Sequence, residues 1–175
     1  MAAPARQSWT DGEPRVVRRE HEAMAERAPE MEWRDQVVGP DGKAGKGWEG
    51  LAPAWGGDRP KPEGVDGLLD GRQLRLKVIY REAFPAVPPV LFPVDPDPPP
   101  GRRTQHYWHL NPNGSLCLMR NADDWKQTDT AAALVAKASG WFIEYLLIEA
   151  KKIDGMTLAG IFTSTGIDPV LKKFA

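Results

Sequence analysis

The only cysteine of this 175-residue chain, Cys117, is the side chain best suited to covalent chemistry. It lies in the segment Asn111-Pro-Asn-Gly-Ser-Leu-Cys-Leu118, eight residues after His109. A single thiol can form neither an internal disulfide nor a structural zinc site, so Cys117 is either a packed core residue or a nucleophile. The polar turn residues just before it favour a surface position, where a thiolate can react.

Attack of a thiolate on an acyl group also needs hydrogen-bond donors aimed at the developing oxyanion. Asn111 and Asn113 both carry suitable amides; the pattern leaves the choice open, and we favour Asn111. His106 and His109 can hold the loop by hydrogen bonds or act as a base. Gly114 permits the tight turn that brings the asparagines back toward the sulfur.

Each of these features also has a simpler interpretation. A cysteine between Leu116 and Leu118 is typical of a buried core position. The sequence Asn-Pro-Asn-Gly is, by itself, only a tight turn, and loop histidines often serve packing. Order and spacing along the chain must therefore decide between the two interpretations.

Composition limits the classes of function. The chain has 23 basic and 24 acidic residues, so it carries no overall charge that would favour nucleic acid, and a protein partner is predicted instead. We find no apolar stretch of the roughly 18 residues that a membrane span needs, and no signal peptide. An unpaired cysteine suits a reducing compartment, which predicts a cytoplasmic protein. No metal site and no nucleotide-binding glycine loop is recognised, so no cofactor is predicted.

The elements around Cys117 predict an α+β domain. Residues 1–13 are predicted to be a flexible leader and residues 14–175 a single domain. Pro14 suits the first position of a helix that continues to about Ala28. The second helix is predicted to begin after a cap at Thr128 or Asp129 and to end near Lys152, and a short final helix covers Asp168–Phe174. Apolar residues recur at helical spacing in the second helix: Leu134, Ala138, Trp141, Phe142, Tyr145 and Leu146.

Four segments are predicted to be strands: 31–38, 48–55, 74–80 and 90–92. In 74–80 the even-numbered residues, from Leu74 to Tyr80, are apolar or aromatic and alternate with Arg75, Lys77 and Ile79. This alternation predicts a strand with one buried face. Prolines beside Val90-Leu-Phe92 confine that strand to a sheet edge or bring it to an abrupt end. The segments 56–71 and 93–116 are predicted to be loops, and an ordered loop as long as 93–116 is usually functional.

The order of these segments resembles the ubiquitin-conjugating enzyme family over roughly residues 72–150. The chain has Phe84-Pro-Ala-Val-Pro-Pro89 where the family has Tyr-Pro-x-x-Pro-Pro after a strand. His109-Leu-Asn111 replaces the family's His-Pro-Asn, and the stretch from Asn111 to the cysteine is two residues shorter than in the family. Asn113-Gly-Ser-Leu-Cys-Leu118 matches the segment whose cysteine forms a thioester. A tryptophan, here Trp125, then precedes the central helix.

The departures from that pattern resemble bacterial members of the family, which often have a His-x-Asn-x-Asp/Asn-Gly-x-Leu-Cys-Leu core. Such proteins are encoded in anti-phage operons. Some act beside a cyclic-oligonucleotide synthase similar to the animal DNA sensor cGAS, in the systems called CBASS. Others act beside a dedicated ubiquitin-like protein and its activating enzyme.

The resemblance implies a fold: an N-terminal helix, an antiparallel meander of about four strands, an active-site loop, a long central helix and a shortened C-terminal tail. It also implies a reaction in which Cys117 accepts the C-terminal acyl group of a partner protein and passes it to an amine. Asn111 would stabilise the oxyanion and His109 would shape the loop. Asp123 and Asp124 would orient or deprotonate the incoming lysine, or merely cap the turn before Trp125.

Two other classes of function stay open. In a cysteine hydrolase, His106 or His109 would activate Cys117 and water would replace the amine. In an inactive relative, the domain would only bind a ubiquitin-like or synthase partner. The expected partner of the conjugating enzyme is the cGAS-like nucleotidyltransferase of a CBASS system, with a ubiquitin-like protein as the alternative.

Overall fold

The computed structural model describes residues 8–175, except for the side chain of Ala122. It is an α+β domain built on one antiparallel sheet whose four strands follow one another in chain order. The strands are β1 (Met31–Val38), β2 (Ala44–Leu51), β3 (Arg75–Ile79) and β4 (Val90–Asp95). The helices are α1 (Trp9–Gly12), α2 (Pro14–Arg27), α3 (Val65–Leu69), α4 (Gln105–Trp108), α5 (Ala131–Glu149) and α6 (Asp168–Leu171).

The main core lies between one face of the sheet and the helices α2, α3 and α5. Leu76 and Val78 of β3 belong to the same buried cluster as Ile143 and Leu147 of α5. Because side chains alternate across a strand, the even positions of β3 face this core as predicted. Ile79 differs from the prediction: it is fully buried on the opposite face, in a small second cluster with Val37 and Phe92.

The predicted α2 and β1 are confirmed to within one residue, and the edge position of β4 is confirmed. The prediction for the second strand was wrong by about four residues, because β2 contains three glycines and shows no clear alternation. At Gly47 an added Cβ would lie 1.8 Å from the carbonyl oxygen of Val78. This strand pair therefore needs a glycine where a strand is normally β-branched or aromatic.

Three segments predicted to lack structure contain short elements instead. Trp9 of α1 is buried against Tyr80 and Phe84, so the predicted leader 1–13 is wrong for its last residues; residues 1–7 lie outside the described part of the chain. The predicted loop 56–71 contains α3, whose buried residues are spaced like one helical face. The predicted loop 93–116 contains the end of β4, a 3₁₀ turn at Pro100–Arg102 and α4.

The central helix α5 is confirmed, with ends that differ from the prediction. It begins at Ala131 rather than after a cap at Thr128 or Asp129, and the side chain of Asp129 instead accepts a hydrogen bond from the Lys126 N–H. Its 19 residues are long and apolar enough to cross a membrane by length and composition, contrary to the sequence analysis. In the fold 89% of that apolar window is buried, so α5 is the core helix of a compact domain.

A buried hydrogen-bond network holds the N-terminus of α5. Glu20 of α2 is fully buried, and its Oε2 accepts hydrogen bonds from the Ala131 N–H (2.9 Å) and the Tyr80 hydroxyl (2.6 Å). The indole N–H of Trp48 donates to the Tyr80 hydroxyl oxygen (3.1 Å). Burial raises the pKa of Glu20, and the bonds from Tyr80 and Ala131 partly oppose that shift. This network joins α2, the sheet and α5.

We predict that Glu20→Ala lowers the free energy of unfolding by about 2–4 kcal/mol, because two buried donors lose their acceptor. Glu20→Gln keeps an acceptor oxygen and should lose less. A carboxyl whose folded pKa is raised stabilises the fold below its unfolded pKa, and this contribution is lost as the pH rises through the folded pKa. Urea unfolding at about pH 5 and about pH 8 should therefore show a stability loss in the wild type that Glu20→Gln lacks. Wild-type stability in Glu20→Ala would contradict the prediction.

Candidate active site

The segment that carries Cys117 is held against the edge of the sheet and against the loop before it. The Leu116 N–H donates to the Leu91 carbonyl of β4, and Leu110 and Leu116 form an isolated antiparallel bridge. The Cys117 N–H donates to the His109 carbonyl at 2.8 Å. These backbone bonds fix Cys117 beside His109.

The same loop is fastened to the central helix through α4. The indole N–H of Trp141 donates to the Trp108 carbonyl at 2.8 Å. The guanidinium of Arg102 lies over the Trp108 ring at 4.6 Å and donates a hydrogen bond to Glu149 of α5 at 2.7 Å. The loop before Cys117 therefore has its own supports and a defined position relative to α5.

Cys117 lines a groove of about 630 Å³. The floor of the groove is one face of α5, which contributes Lys137, Gly140, Trp141 and Glu144 at positions i, i+3, i+4 and i+7. One wall is the cysteine segment 117–120. The other wall is residues 158–163, part of a C-terminal segment, residues 156–163, that we call the strap.

The strap lies close to α5 because of a glycine. An added Cβ at Gly140 would lie 2.8 Å from Cγ2 of Ile161, so a larger residue there would push the strap away. The Arg120 guanidinium donates to the Leu158 carbonyl at 3.1 Å and so links the two walls. The Leu158 side chain is 77% exposed, which leaves an apolar group at the rim of the groove.

Cys117 itself is partly exposed and lies at the wall of this groove. Its thiol donates a weak hydrogen bond to the Met119 carbonyl (3.7 Å), and burial raises the pKa of the thiol. A thiol with a raised pKa is mostly protonated at neutral pH. The site therefore holds a reachable sulfur without strong ionic activation.

Both asparagines have their side chains bound within the loop. The Asn111 amide donates to Ser115 Oγ (2.9 Å) and to the Leu116 carbonyl (3.4 Å), while its oxygen accepts from Gln105 (2.7 Å). The Asn113 oxygen accepts from the N–H and the hydroxyl of Ser115. In this structure both side chains shape the loop, and neither lines the groove. An oxyanion role for Asn111 would require its amide to leave Ser115 or Leu116.

A different donor stands beside the sulfur. The backbone N–H of Leu118, directly after Cys117, has no hydrogen-bond acceptor among residues 8–175. A free N–H next to a nucleophile is a common oxyanion donor in acyl transfer. Sequence reasoning considered only side chains and missed it.

The two loop histidines have different surroundings. His109 adopts a left-handed conformation (φ 48°) at the end of α4 and lines the groove with Cys117. Burial, with a smaller effect of nearby His106, lowers the pKa of His109, which favours a neutral ring. His106 lies on α4, is exposed and does not line the groove.

Asp124 lines the groove, and its carboxylate also organises the turn after Cys117. It accepts hydrogen bonds from the N–H groups of Arg120 (2.9 Å) and Asn121 (3.2 Å), which lower the pKa of this exposed carboxyl. Asp124 thus caps the turn before Trp125, and its predicted action on an incoming lysine stays a prediction. Asp123 is exposed and does not line the groove.

Sequence reasoning missed Glu144, the buried carboxylate of the groove. Glu144 is 2% exposed and lies on α5 among apolar residues, and its Oε1 accepts the Thr157 N–H of the strap at 2.9 Å. Burial raises the pKa of Glu144, partly opposed by Thr157. A charged residue inside an apolar helical run was the available signal.

Among the described residues, no group of three or more His, Cys, Asp and Glu side chains could hold a metal ion.

We predict that Cys117 reacts slowly with iodoacetamide at neutral pH, because burial raises the pKa of the thiol. The rate should reach half its maximum at a pH above about 8.5, the value for a free cysteine. Intact-mass spectrometry over a pH series would measure it, with N-acetylcysteine as reference and Cys117→Ala as the unlabelled control. A rate already maximal at neutral pH would contradict the prediction.

Cys117 lies at the wall of a groove whose floor is the core helix α5, and the function is inferred from this arrangement. Comparison of the chain with protein-family models, curated proteins and solved structures finds no match.

Proposed function

We propose that this protein is a ubiquitin-conjugating-like acyl transferase. Cys117 takes the C-terminal acyl group of a partner protein as a thioester and passes it to an amine, which forms an isopeptide bond. The observation that carries the proposal is the partly exposed Cys117 at the wall of a groove of about 630 Å³. A groove of that size accommodates an extended peptide tail beside the sulfur.

The order of the elements supports the same family. An N-terminal helix, a four-stranded antiparallel meander, a loop with the cysteine and a long core helix follow one another, as the resemblance to ubiquitin-conjugating enzymes implies. Phe84 is buried, and the carbonyl of Pro85 accepts the indole N–H of Trp125 at 2.9 Å. The Phe-Pro-x-x-Pro-Pro segment and Trp125 thus form one packed support beside the cysteine segment.

The environment of Cys117 fits thioester exchange. In the first step the Cys117 sulfur attacks the carbonyl carbon of an activated acyl group, a C–S bond forms, the bond to the leaving group breaks, and the thiol proton passes to that departing group. The new oxyanion would be stabilised by the Leu118 N–H, with Asn111 as a second donor if its amide turns from the loop. One well-placed donor contributes about 2.7–4 kcal/mol. In the second step an amine displaces the Cys117 sulfur.

A cysteine hydrolase is the less well supported alternative. Such enzymes use an imidazole beside the sulfur to form a thiolate at neutral pH. In residues 8–175 the thiol of Cys117 bonds to the Met119 carbonyl, and the link to His109 is a backbone bond. Since burial raises the thiol pKa, an already activated acyl donor suits this site better than a stable amide. An inactive binding module would have no need of a reachable thiol.

For the partner, we propose the cGAS-like nucleotidyltransferase of a CBASS system, with a dedicated bacterial ubiquitin-like protein as the alternative. Either partner would supply a C-terminus that can be activated, and the proposed reaction involves neither nucleic acid nor membrane. The exposed apolar rim at Leu158 suits a peptide tail rather than a polyanion. Activation of that C-terminus is assigned to a separate protein.

We predict that Cys117→Ser traps a partner. Co-expression with each candidate partner and its activating enzyme should give a higher-mass adduct of Cys117→Ser on a denaturing gel, because an oxyester is less reactive toward amines than a thioester. Mild base should remove the adduct, and mass spectrometry should place it at residue 117.

Cys117→Ala is the matched control and should bind the partner without an adduct. Conjugation that persists in Cys117→Ala would contradict the proposal, as would the absence of an adduct with every candidate. Release of the wild-type acyl group mainly as a free acid, rather than as an isopeptide, would favour the hydrolase.

A further inference from the structure

Glu144 is the one acidic side chain of the groove that is buried. Its Oε1 accepts the Thr157 N–H of the strap at 2.9 Å, and the Thr157 side chain also lowers the pKa of this carboxyl. It lies one turn along α5 from Trp141 and Gly140, on the face that floors the groove. A carboxylate placed this way costs stability, because burial disfavours its charge. The bond to Thr157 joins the strap to α5, and the place of Glu144 on the groove adds a contact with a ligand that fills it.

We propose that Glu144 is the group that binds the acceptor amine in the groove and removes its proton before attack on the Cys117 thioester. The assignment rests on the proposed function. It follows from the shared groove, because a side chain that reaches the sulfur along the floor passes over the face of α5 that carries Glu144. An amine nucleophile is normally an ammonium ion at neutral pH, and a buried carboxylate is the complementary group.

The Glu144 carboxylate takes one proton from the ammonium, and the neutral nitrogen attacks the thioester carbon. A C–N bond forms and the C–S bond breaks. The nitrogen passes its second proton to the departing sulfur of Cys117, which restores the thiol, and Glu144 releases its proton to solvent. The products are an amide, a free thiol and one proton.

The other ionisable and charged groups that line the groove are His109, Cys117, Arg120, Asp124 and Lys137. Asp124 is less suited to accept a proton, because two backbone N–H bonds lower its pKa, whereas burial raises the pKa of Glu144. A base works best when its pKa approaches the working pH. His109 is held neutral by burial and offers a weaker attraction for an ammonium ion.

The test uses a glycylglycine thioester of mercaptoethanesulfonate, which transfers its acyl group to a reactive thiol without an activating enzyme. Intact-mass spectrometry first measures loading of Cys117. Discharge of the loaded protein is then timed with free lysine and with hydroxylamine, a nucleophile that is already neutral at neutral pH. Glu144→Gln keeps an oxygen for the Thr157 N–H, and Glu26→Gln, at an exposed position of α2 outside the groove, is the matched control.

We expect Glu144→Gln to load like the wild type and to discharge to lysine at least about tenfold more slowly. Discharge to hydroxylamine should be unchanged, and Glu26→Gln should behave as wild type with both nucleophiles. Equal slowing with both nucleophiles would indicate a structural role and would overturn the assignment. Wild-type discharge to lysine in Glu144→Gln would overturn it as well.

A wild-type protein that does not load, or loads equally in Cys117→Ala, would overturn the proposed function and the role of Glu144 with it. If Glu144→Gln fails to fold, the pH dependence of discharge from the loaded wild-type protein tests the role of Glu144. After division by the fraction of neutral nucleophile at each pH, the discharge rate to lysine should rise with pH through a group whose pKa lies above that of an ordinary glutamate, and the rate to hydroxylamine, treated in the same way, should show no such step. The same profile with both nucleophiles would overturn the assignment.

Discussion

The fully buried carboxylate of Glu20 is the constraint that relates the parts of this domain to one another. It accepts hydrogen bonds from the first N–H of α5 and from Tyr80, which in turn accepts one from Trp48. A helix N-terminus has unpaired N–H groups and a partial positive charge, so an acidic group from another element both caps and orients it. Glu20 therefore fixes α5 relative to α2 and the sheet, and α5 is the floor of the groove.

The two walls of the groove are held in place on either side of α5. The loop before Cys117 is anchored by Trp108 and Arg102, and the strap is anchored from the opposite side by Arg59, whose guanidinium donates to the Ile161 carbonyl and to Asp168. Neither wall belongs to the sheet or to a long helix. The cysteine wall is held by backbone bonds to β4 and to His109, and the strap by Arg59, so the width of the groove depends on contacts between distant parts of the chain.

Glu20 and Glu144 are both buried acidic side chains, but they have different roles. Both are carboxylates in largely apolar surroundings, and burial raises the pKa of each. Glu20 uses its hydrogen bonds to join secondary-structure elements. Glu144 has one backbone donor and lies on a groove, where a ligand can approach. The difference in access, and not the chemistry of the side chain, is the reason that we assign one to the fold and the other to the reaction.

The sequence by itself determined the elements whose patterns are local. A helix-starting proline located α2, the turn residues 39–42 marked the end of β1, and apolar periodicity located β3 and α5. The order of motifs singled out Cys117. Local patterns could not locate β2, where glycines remove the alternation, or Trp9, whose burial depends on Tyr80 and Phe84 far along the chain. They could not show that Asn111 bonds to its own loop, or that the strap brings Glu144 and Cys117 to one groove. Those facts depend on which distant surfaces pack together, and only the tertiary structure decides that.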